Sequence, residues 1–490
     1  MLRRALLPLT LAAPLAAQTP ARTCADRLDS LAARIETNYA GFTLEVTGAR
    51  RDAYRRFADS LRAASVNTSV ERCFPRLRRF VEWFEDPHLF VYQSVRVDTA
   101  TARQRRERAR TIATSETAVR AYLDARGARR DPIEGIWTSG RLRLAVIADS
   151  ANGALVPDRF TAIVLVPDTS TFAPGVVRGE IVRQGQDTYE TALLEPSHAI
   201  RHLRLTLHRG GTLLRLSPGM WGKRYPVPDA ERGMLDTVDV HRATVRVRGR
   251  TVIVSVPSHD PTYRGALDSA LVAHRDALRR AELLVIDLRG NEGGSSWVTN
   301  GLVPYLASES KRGTPFDTGR GVMLSSPDQL AYAQRAFGPD TSAFVRTLLA
   351  RMRAAPGALV PLEDPDVAPR PTRPDSIVRG PRAVGVLIDR GTVSASEVLV
   401  LAALRSERAR VFGEPTAGAL DYQSVNVVPI AADERRFFLG YPTITARASL
   451  PSGGMRGRGI APDVRVDWSR VSDPIAYVET ALRAWIRAQR

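Results

Sequence analysis

The sequence predicts a multidomain α+β protein: an N-terminal helical module, a small antiparallel β domain and a C-terminal α/β domain. Three observations predict it. Apolar residues first recur at helical spacing, then at a period of two, and finally in buried runs that alternate with amphipathic stretches. The expected boundaries are 18–128, 129–228 and 229–490, behind a leader over 1–17. At 490 residues the chain exceeds one ordinary core, and 44% hydrophobic with 25% charged residues are values of a folded protein.

The leader is read from Arg3 and Arg4, an apolar run over 5–13 and small residues up to Ala17. Cleavage is expected near Ala16 or Ala17, with Pro14 and Leu15 making the cleavage motif imperfect. No later segment approaches the ~20 apolar residues of a membrane span. An exported protein, periplasmic or extracellular, with no integral membrane segment after cleavage is therefore expected. Cys24 and Cys73 are the only cysteines, and export favours their pairing as a structural disulfide.

Helical spacing places Leu28, Leu31, Ile35 and Tyr39 on one face, and Tyr54, Phe57 and Leu61 on another. Leu77, Phe80, Val81 and Phe84 form a third, which breaks at Asp86-Pro87. The stretch 103–126 reads as a more polar connector helix. From Asp131 to Pro226, alternation such as Leu142, Leu144 and Val146 predicts strands of a barrel or sandwich, without a ligand motif. Beyond it, strands over 251–256, 283–288 and 383–388 alternate with helices over 263–281, 297–307 and 398–404, which predicts parallel pairing. The Pro-, Asp- and Arg-rich segment 338–381 is expected as an insertion or flexible cover near the site.

The net charge of +18 does not point to nucleic acid. Its basic residues are arginines apart from Lys223 and Lys311, they are scattered among acids, and the densest cluster, 103–110, resembles a solvated helix face. No His, Cys, Asp or Glu spacing fits a metal site, and no cofactor motif is present.

Two motifs carry chemistry. Gly391-Thr392-Val393-Ser394-Ala395-Ser396-Glu397 joins a buried strand to a helix. A serine there is either a helix cap, with Glu397 completing a capping box, or a nucleophile raised on the sheet edge. Asp287-Leu288-Arg289-Gly290-Asn291-Glu292-Gly293-Gly294 also follows a strand. Its spacing fits neither a dinucleotide loop nor a P-loop, and its glycines suit presentation of N–H groups to an oxyanion.

These motifs, with Gly413-Glu414-Pro415-Thr416-Ala417-Gly418, Leu450-Pro451-Ser452-Gly453 and Gly459-Ile460-Ala461-Pro462-Asp463, resemble the tail-specific, C-terminal processing serine peptidases and their tricorn-core relatives. The resemblance implies a crotonase/ClpP-like α/β domain and a peptide or protein substrate. It implies Ser394 as nucleophile, with Ser396 the competing serine, and an oxyanion hole from Ala395 and either Gly293 or Gly294. The family's lysine would fall at Ala419, so a histidine base is expected instead. His88 resembles the histidine that nisin-resistance-type relatives supply from their N-terminal module, and His259 is the second candidate. Glu397 is expected to line the site in relatives without the lysine, and Asp421 to orient the base. No PDZ-like module is visible, and the β domain occupies its place in the chain. A catalytically silent peptide- or lipid-binding protein and a serine esterase remain the alternatives.

Overall fold

The computed structural model describes residues 23–489 apart from 152, 168–171, 217–218, 237, 307–320, 338–341, 363–379, 433–434 and 451–452. The expected leader, Lys311, Pro451, Ser452 and much of the 338–381 segment lie outside the described residues. The N-terminal module begins with α1 (Cys24–Asn38), α2 (Ala40–Glu45), α3 (Gly48–Ala63) and α4 (Phe74–Glu82). Thr23 and Asp26 close a reciprocal capping box at the start of α1. The Cys24–Cys73 disulfide ties that start to the start of α4.

This module does not keep its core to itself. Leu28, Leu31, Ile35, Leu77 and Phe80 pack in one cluster with Leu439, Tyr441 and Val428 from the C-terminal part. The next segment, β1 (Phe90–Gln93), pairs antiparallel with a C-terminal strand. The boundary near 128 therefore divides the sequence but not the core. The expected connector helix is two helices, α5 (Thr99–Glu107) and α6 (Glu116–Arg126), separated by a stretch that bridges Thr111 to Val176.

The β domain is a closed barrel of β2 (Gly135–Ser139), β3 (Leu142–Ala151), β4 (Ala154–Val166), β5 (Val177–Arg183), β6 (Thr188–Leu194), β7 (Ile200–His208), β8 (Leu213–Leu216) and β9 (Met220–Tyr225). Trp137, Tyr189, Trp221 and inward-facing leucines fill it, so its interior is a packed core.

The α/β domain holds a six-stranded sheet of β10 (Thr244–Arg248), β11 (Thr251–Ser255), β12 (Leu283–Asp287), β15 (Ala383–Ile388), β16 (Ala409–Gly413) and β19 (Val464–Arg465), in that order. All neighbours but β10 and β11 are parallel. The continuous apolar runs of β11, β12 and β15 follow from burial on both faces. On one face lie α7 (Arg264–Ala273), α8 (Arg275–Arg280) and α12 (Ala395–Leu404), on the other α13 (Pro474–Ala488). The expected helix over 263–281 is thus broken at His274. That over 297–307 is a 3-10 turn, Ser296–Thr299, and a single-turn α9 (Val303–Leu306).

A second, antiparallel sheet contains β13 (Val322–Leu324), β14 (Leu359–Pro361), β17 (Tyr422–Pro429) and β18 (Phe437–Thr445) together with β1. The described part of the expected cover is no loose flap. With α10 (Pro327–Phe337) and α11 (Ala343–Ala354) it builds a local core of Met323, Ala333, Leu348, Met352 and Val360.

Candidate active site

β15 delivers the serine turn to the carboxyl edge of the parallel sheet. Ser394 adopts φ 57° and ψ −116°, a left-handed conformation that costs a non-glycine residue ~1–3 kcal/mol. The surrounding bonds hold it there. Val393 N–H donates to the Asn291 carbonyl at 2.9 Å, and Ser394 N–H donates to Glu397 Oε2 at 2.7 Å. Glu397 N–H donates to the Ser394 carbonyl at 2.8 Å. The serine hydroxyl faces His88 Nε2 at 3.1 Å.

The glycine turn after β12 packs against this one. A Cβ at Gly293 would meet the Val393 carbonyl at 2.6 Å and the Ala395 nitrogen at 2.8 Å, so only glycine allows the approach. Gly293 N–H donates to Asn291 Oδ1 at 2.9 Å and is consumed within the turn. Among the described residues, Gly294 N–H and Ala395 N–H have no hydrogen-bond acceptor. Both residues line one cleft of about 420 Å³ with Ser394 and His88. Ala395 opens α12, so its amide belongs to the unpaired first turn and carries the positive end of the helix.

His88 arrives from the turn between α4 and β1. Its backbone N–H donates to Asp86 Oδ1 at 2.8 Å, and Tyr39 O–H donates to Asp86 Oδ2 at 2.7 Å. Burial pushes the Asp86 carboxyl up from its ordinary pKa. The ring's Nδ1 lies 2.5 Å from the Tyr422 carbonyl oxygen. A carbonyl can only accept, so Nδ1 carries the proton in the neutral ring and Nε2 presents a lone pair to the serine hydroxyl.

Residues 250–466 match the sequence profile of Peptidase family S41. The α/β domain belongs to that family. The chain is accordingly a serine peptidase, and the family implies a peptide or protein substrate. Among solved structures it is similar to the photosystem II D1 C-terminal processing protease, at 14% identity over 93% of this chain and 96% of the other, with a TM-score of 0.36. Mature CPAF is 13% identical over 95% and 97% of the two chains, with a TM-score of 0.43. The tricorn protease is 12% identical over 95% of this chain and 36% of its own, with a TM-score of 0.36. Comparison with curated proteins finds no match.

Within the S41 domain the second serine and second histidine meet each other. Ser396 and His259 are fully buried. Ser396 Oγ donates to the Asn291 carbonyl at 3.0 Å and lies 3.2 Å from His259 Nδ1. His259 Nδ1 also lies 3.1 Å from Asn291 Oδ1, and Nε2 lies 3.2 Å from Thr299 Oγ1. Burial lowers the His259 pKa to about 4. The pair braces the glycine turn against α12 and reaches no cleft.

Two expectations for acidic residues need correction. Glu397 is buried and does not line the cleft for substrate. Its carboxylate also accepts from Thr416 Oγ1 at 2.6 Å, Gly418 N–H at 2.7 Å and Ala419 N–H at 2.9 Å. Burial pushes its pKa up against these bonds. Glu397 therefore binds the serine turn to the loop where the family's lysine would stand. Asp421 does not orient His88. Its Oδ1 accepts from Met455 N–H and, at 3.3 Å, from Arg456 N–H, and the Tyr422 carbonyl holds the imidazole instead. Lys223 sits in β9 with its ammonium 4.7 Å from the Trp137 ring, away from the cleft residues.

Sequence reasoning missed the seam between barrel and S41 domain. Asp389 accepts from Gly290 N–H at 2.8 Å and Gly391 N–H at 2.9 Å, so one carboxylate fastens both glycine-bearing turns. Burial opposes its charge, but the His208 side chain and the Gly290 amide hold its pKa at about 2. Arg209 donates to Asp287 Oδ2 at 2.8 Å. Arg215 donates to the Gly290 carbonyl and pairs with Glu292, which lines the cleft. Asp389 lies two residues before the serine motif and offered a signal; the barrel arginines offered none.

Proposed function

We propose that the protein is an exported serine endopeptidase with Ser394 as nucleophile and His88 as base. The single observation that carries this reading is the imidazole at hydrogen-bond distance from the serine hydroxyl, with its far nitrogen committed to the Tyr422 carbonyl. His88 Nε2 takes the proton as Ser394 Oγ attacks the peptide carbonyl. The developing oxyanion is received by Gly294 N–H and Ala395 N–H, not by Gly293, whose amide is spent. His88 then protonates the leaving amine. Water, deprotonated by the same imidazole, releases the acyl group and restores the hydroxyl. Export is supported by the basic and apolar N-terminus and by the Cys24–Cys73 disulfide.

A fluorophosphonate probe and an unfolded protein substrate test the assignment. Ser394→Ala should lose labelling and hydrolysis, and His88→Ala should slow both by at least a hundredfold, on the order of a lost general base. Labelling of Ser394→Ala at the wild-type rate would remove the serine from its role. Normal turnover by His88→Ala would remove the histidine. His259→Gln should retain labelling.

A further inference from the structure

Strand register places one apolar surface beside the cleft. In the antiparallel sheet, Phe90 pairs with Gly440 and Tyr92 with Phe438. On the other side of β18, Val427 pairs with Gly440 and Pro429 with Phe438. Paired residues point to the same side of a sheet, so these positions share one face. The intervening residues Val91, Leu439 and Val428 point the other way, into the core under the N-terminal helices.

The shared face is open. Phe90 is 38% exposed, Tyr92 37% and Val427 44%. A solvated sheet face ordinarily carries polar side chains at alternate positions, and this one carries none at the register positions named. The Tyr92 and Phe438 rings stack at 4.8 Å, and a Cβ on Gly440 would lie 2.4 Å from the Phe90 ring. The aromatics are thus fixed against the sheet as a preformed platform.

Continuity with the cleft identifies the occupant. Val425, two residues before Val427 on the same face, lines the cleft that holds Ser394, and Phe90 follows His88 by two residues. Among the described residues, β17 pairs with β18 alone, so its second edge offers backbone groups to an extended chain. From Val425 to Pro429 the face extends about 13 Å, room for roughly four extended residues.

We propose that this face holds the substrate: an extended peptide stretch on one side of the scissile bond, carrying apolar or aromatic side chains at alternate positions. The inference rests on the cleft being the reaction site, but it is read without turnover. Two fluorescein-labelled nonapeptides are titrated against the Ser394→Ala protein, one with Phe and Val at alternate central positions, the other with Asn there. The apolar peptide should bind at least tenfold tighter, as burial of two or three such side chains implies. Val427→Lys and Tyr92→Lys should each erase most of the difference; Val427→Lys, at the more exposed position, should leave the melting temperature unchanged, whereas Tyr92→Lys also gives up the stack on Phe438 and should lower it by a few degrees. In wild type the same two substitutions should raise KM for apolar peptides and leave kcat within about twofold. Equal affinity for the two peptides, or a preference untouched by both lysines, overturns the proposal. So does a wild-type dimer that the lysines dissociate without changing peptide binding, because the face would then join two copies. Retained hydrolysis by Ser394→Ala would overturn the nucleophile assignment and leave the binding result to stand by itself.

Discussion

Acid should loosen the active-site scaffold through His259, and the size of the effect follows from its burial. The ring is fully buried, satisfied as a neutral group by Asn291, Ser396 and Thr299, and its pKa falls from 6.5 to about 4. The neutral form is favoured in the folded state, so this contribution is complete above pH 6.5. It is lost as pH falls towards 4, because the unfolded chain takes up a proton that the folded chain refuses. A shift of that size corresponds to ~3 kcal/mol in full, of which about 2.5 kcal/mol is gone at pH 4.5. The assay is urea unfolding of wild type and His259→Gln at pH 7.5, 6.5, 5.5 and 4.5. The variant should be less stable at pH 7.5, where two or three buried hydrogen bonds are disturbed. Its deficit should shrink by ~2–3 kcal/mol at pH 4.5. Buried carboxyls with raised pKa, Asp86 and Glu397, titrate with the opposite sign, but they are present in both proteins and cancel in the comparison. Parallel loss of stability in the two proteins, with the deficit constant to within ~1 kcal/mol, would refute the reasoning.

Three further outcomes are expected. Glu397→Gln replaces a four-fold acceptor by an amide that must turn a donor towards N–H groups; it should lower stability by ~1–3 kcal/mol and slow fluorophosphonate labelling of Ser394. Arg215→Met removes the barrel's hold on Gly290 and Glu292, and should lower kcat about tenfold with little change in KM; a matching rise in KM would instead mean that the pair binds substrate. Cys24→Ser opens a loop of sequence separation 49 and should cost ~4 kcal/mol in reversible unfolding, with the serine cleft unaltered at low temperature.

Much of the fold was legible because it rests on local pattern. Runs such as Ala383–Ile388 show burial on both faces, and the period of two over the barrel strands shows a filled interior against an outer surface. Helix breaks were not legible. His274 and the stretch between α5 and α6 interrupt spacing that reads as continuous, because tertiary partners override local periodicity. At the site, glycines and the strained serine were visible since their spacing serves backbone geometry. The Tyr422 carbonyl was not, because every residue carries a carbonyl and only the fold selects which one meets an imidazole. Asp421, one residue away, was the more conspicuous candidate for the wrong reason: sequence displays side chains and hides main-chain acceptors. Barrel contributions such as Arg215 were invisible too, since a scattered arginine gains meaning only from the surface it meets.

The addition of β1 to β18 has a consequence for timing. His88 is made early, 306 residues before Ser394, yet the strand that follows it needs a partner, Phe437–Thr445, that lies beyond the serine. A growing chain can therefore contain the complete serine turn, with His259 already against Ser396, and still lack the strand pairing that seats His88 beside Ser394. On the proposed assignment of His88 as base, the reacting pair assembles only once Phe437–Thr445 is present to seat Phe90–Gln93.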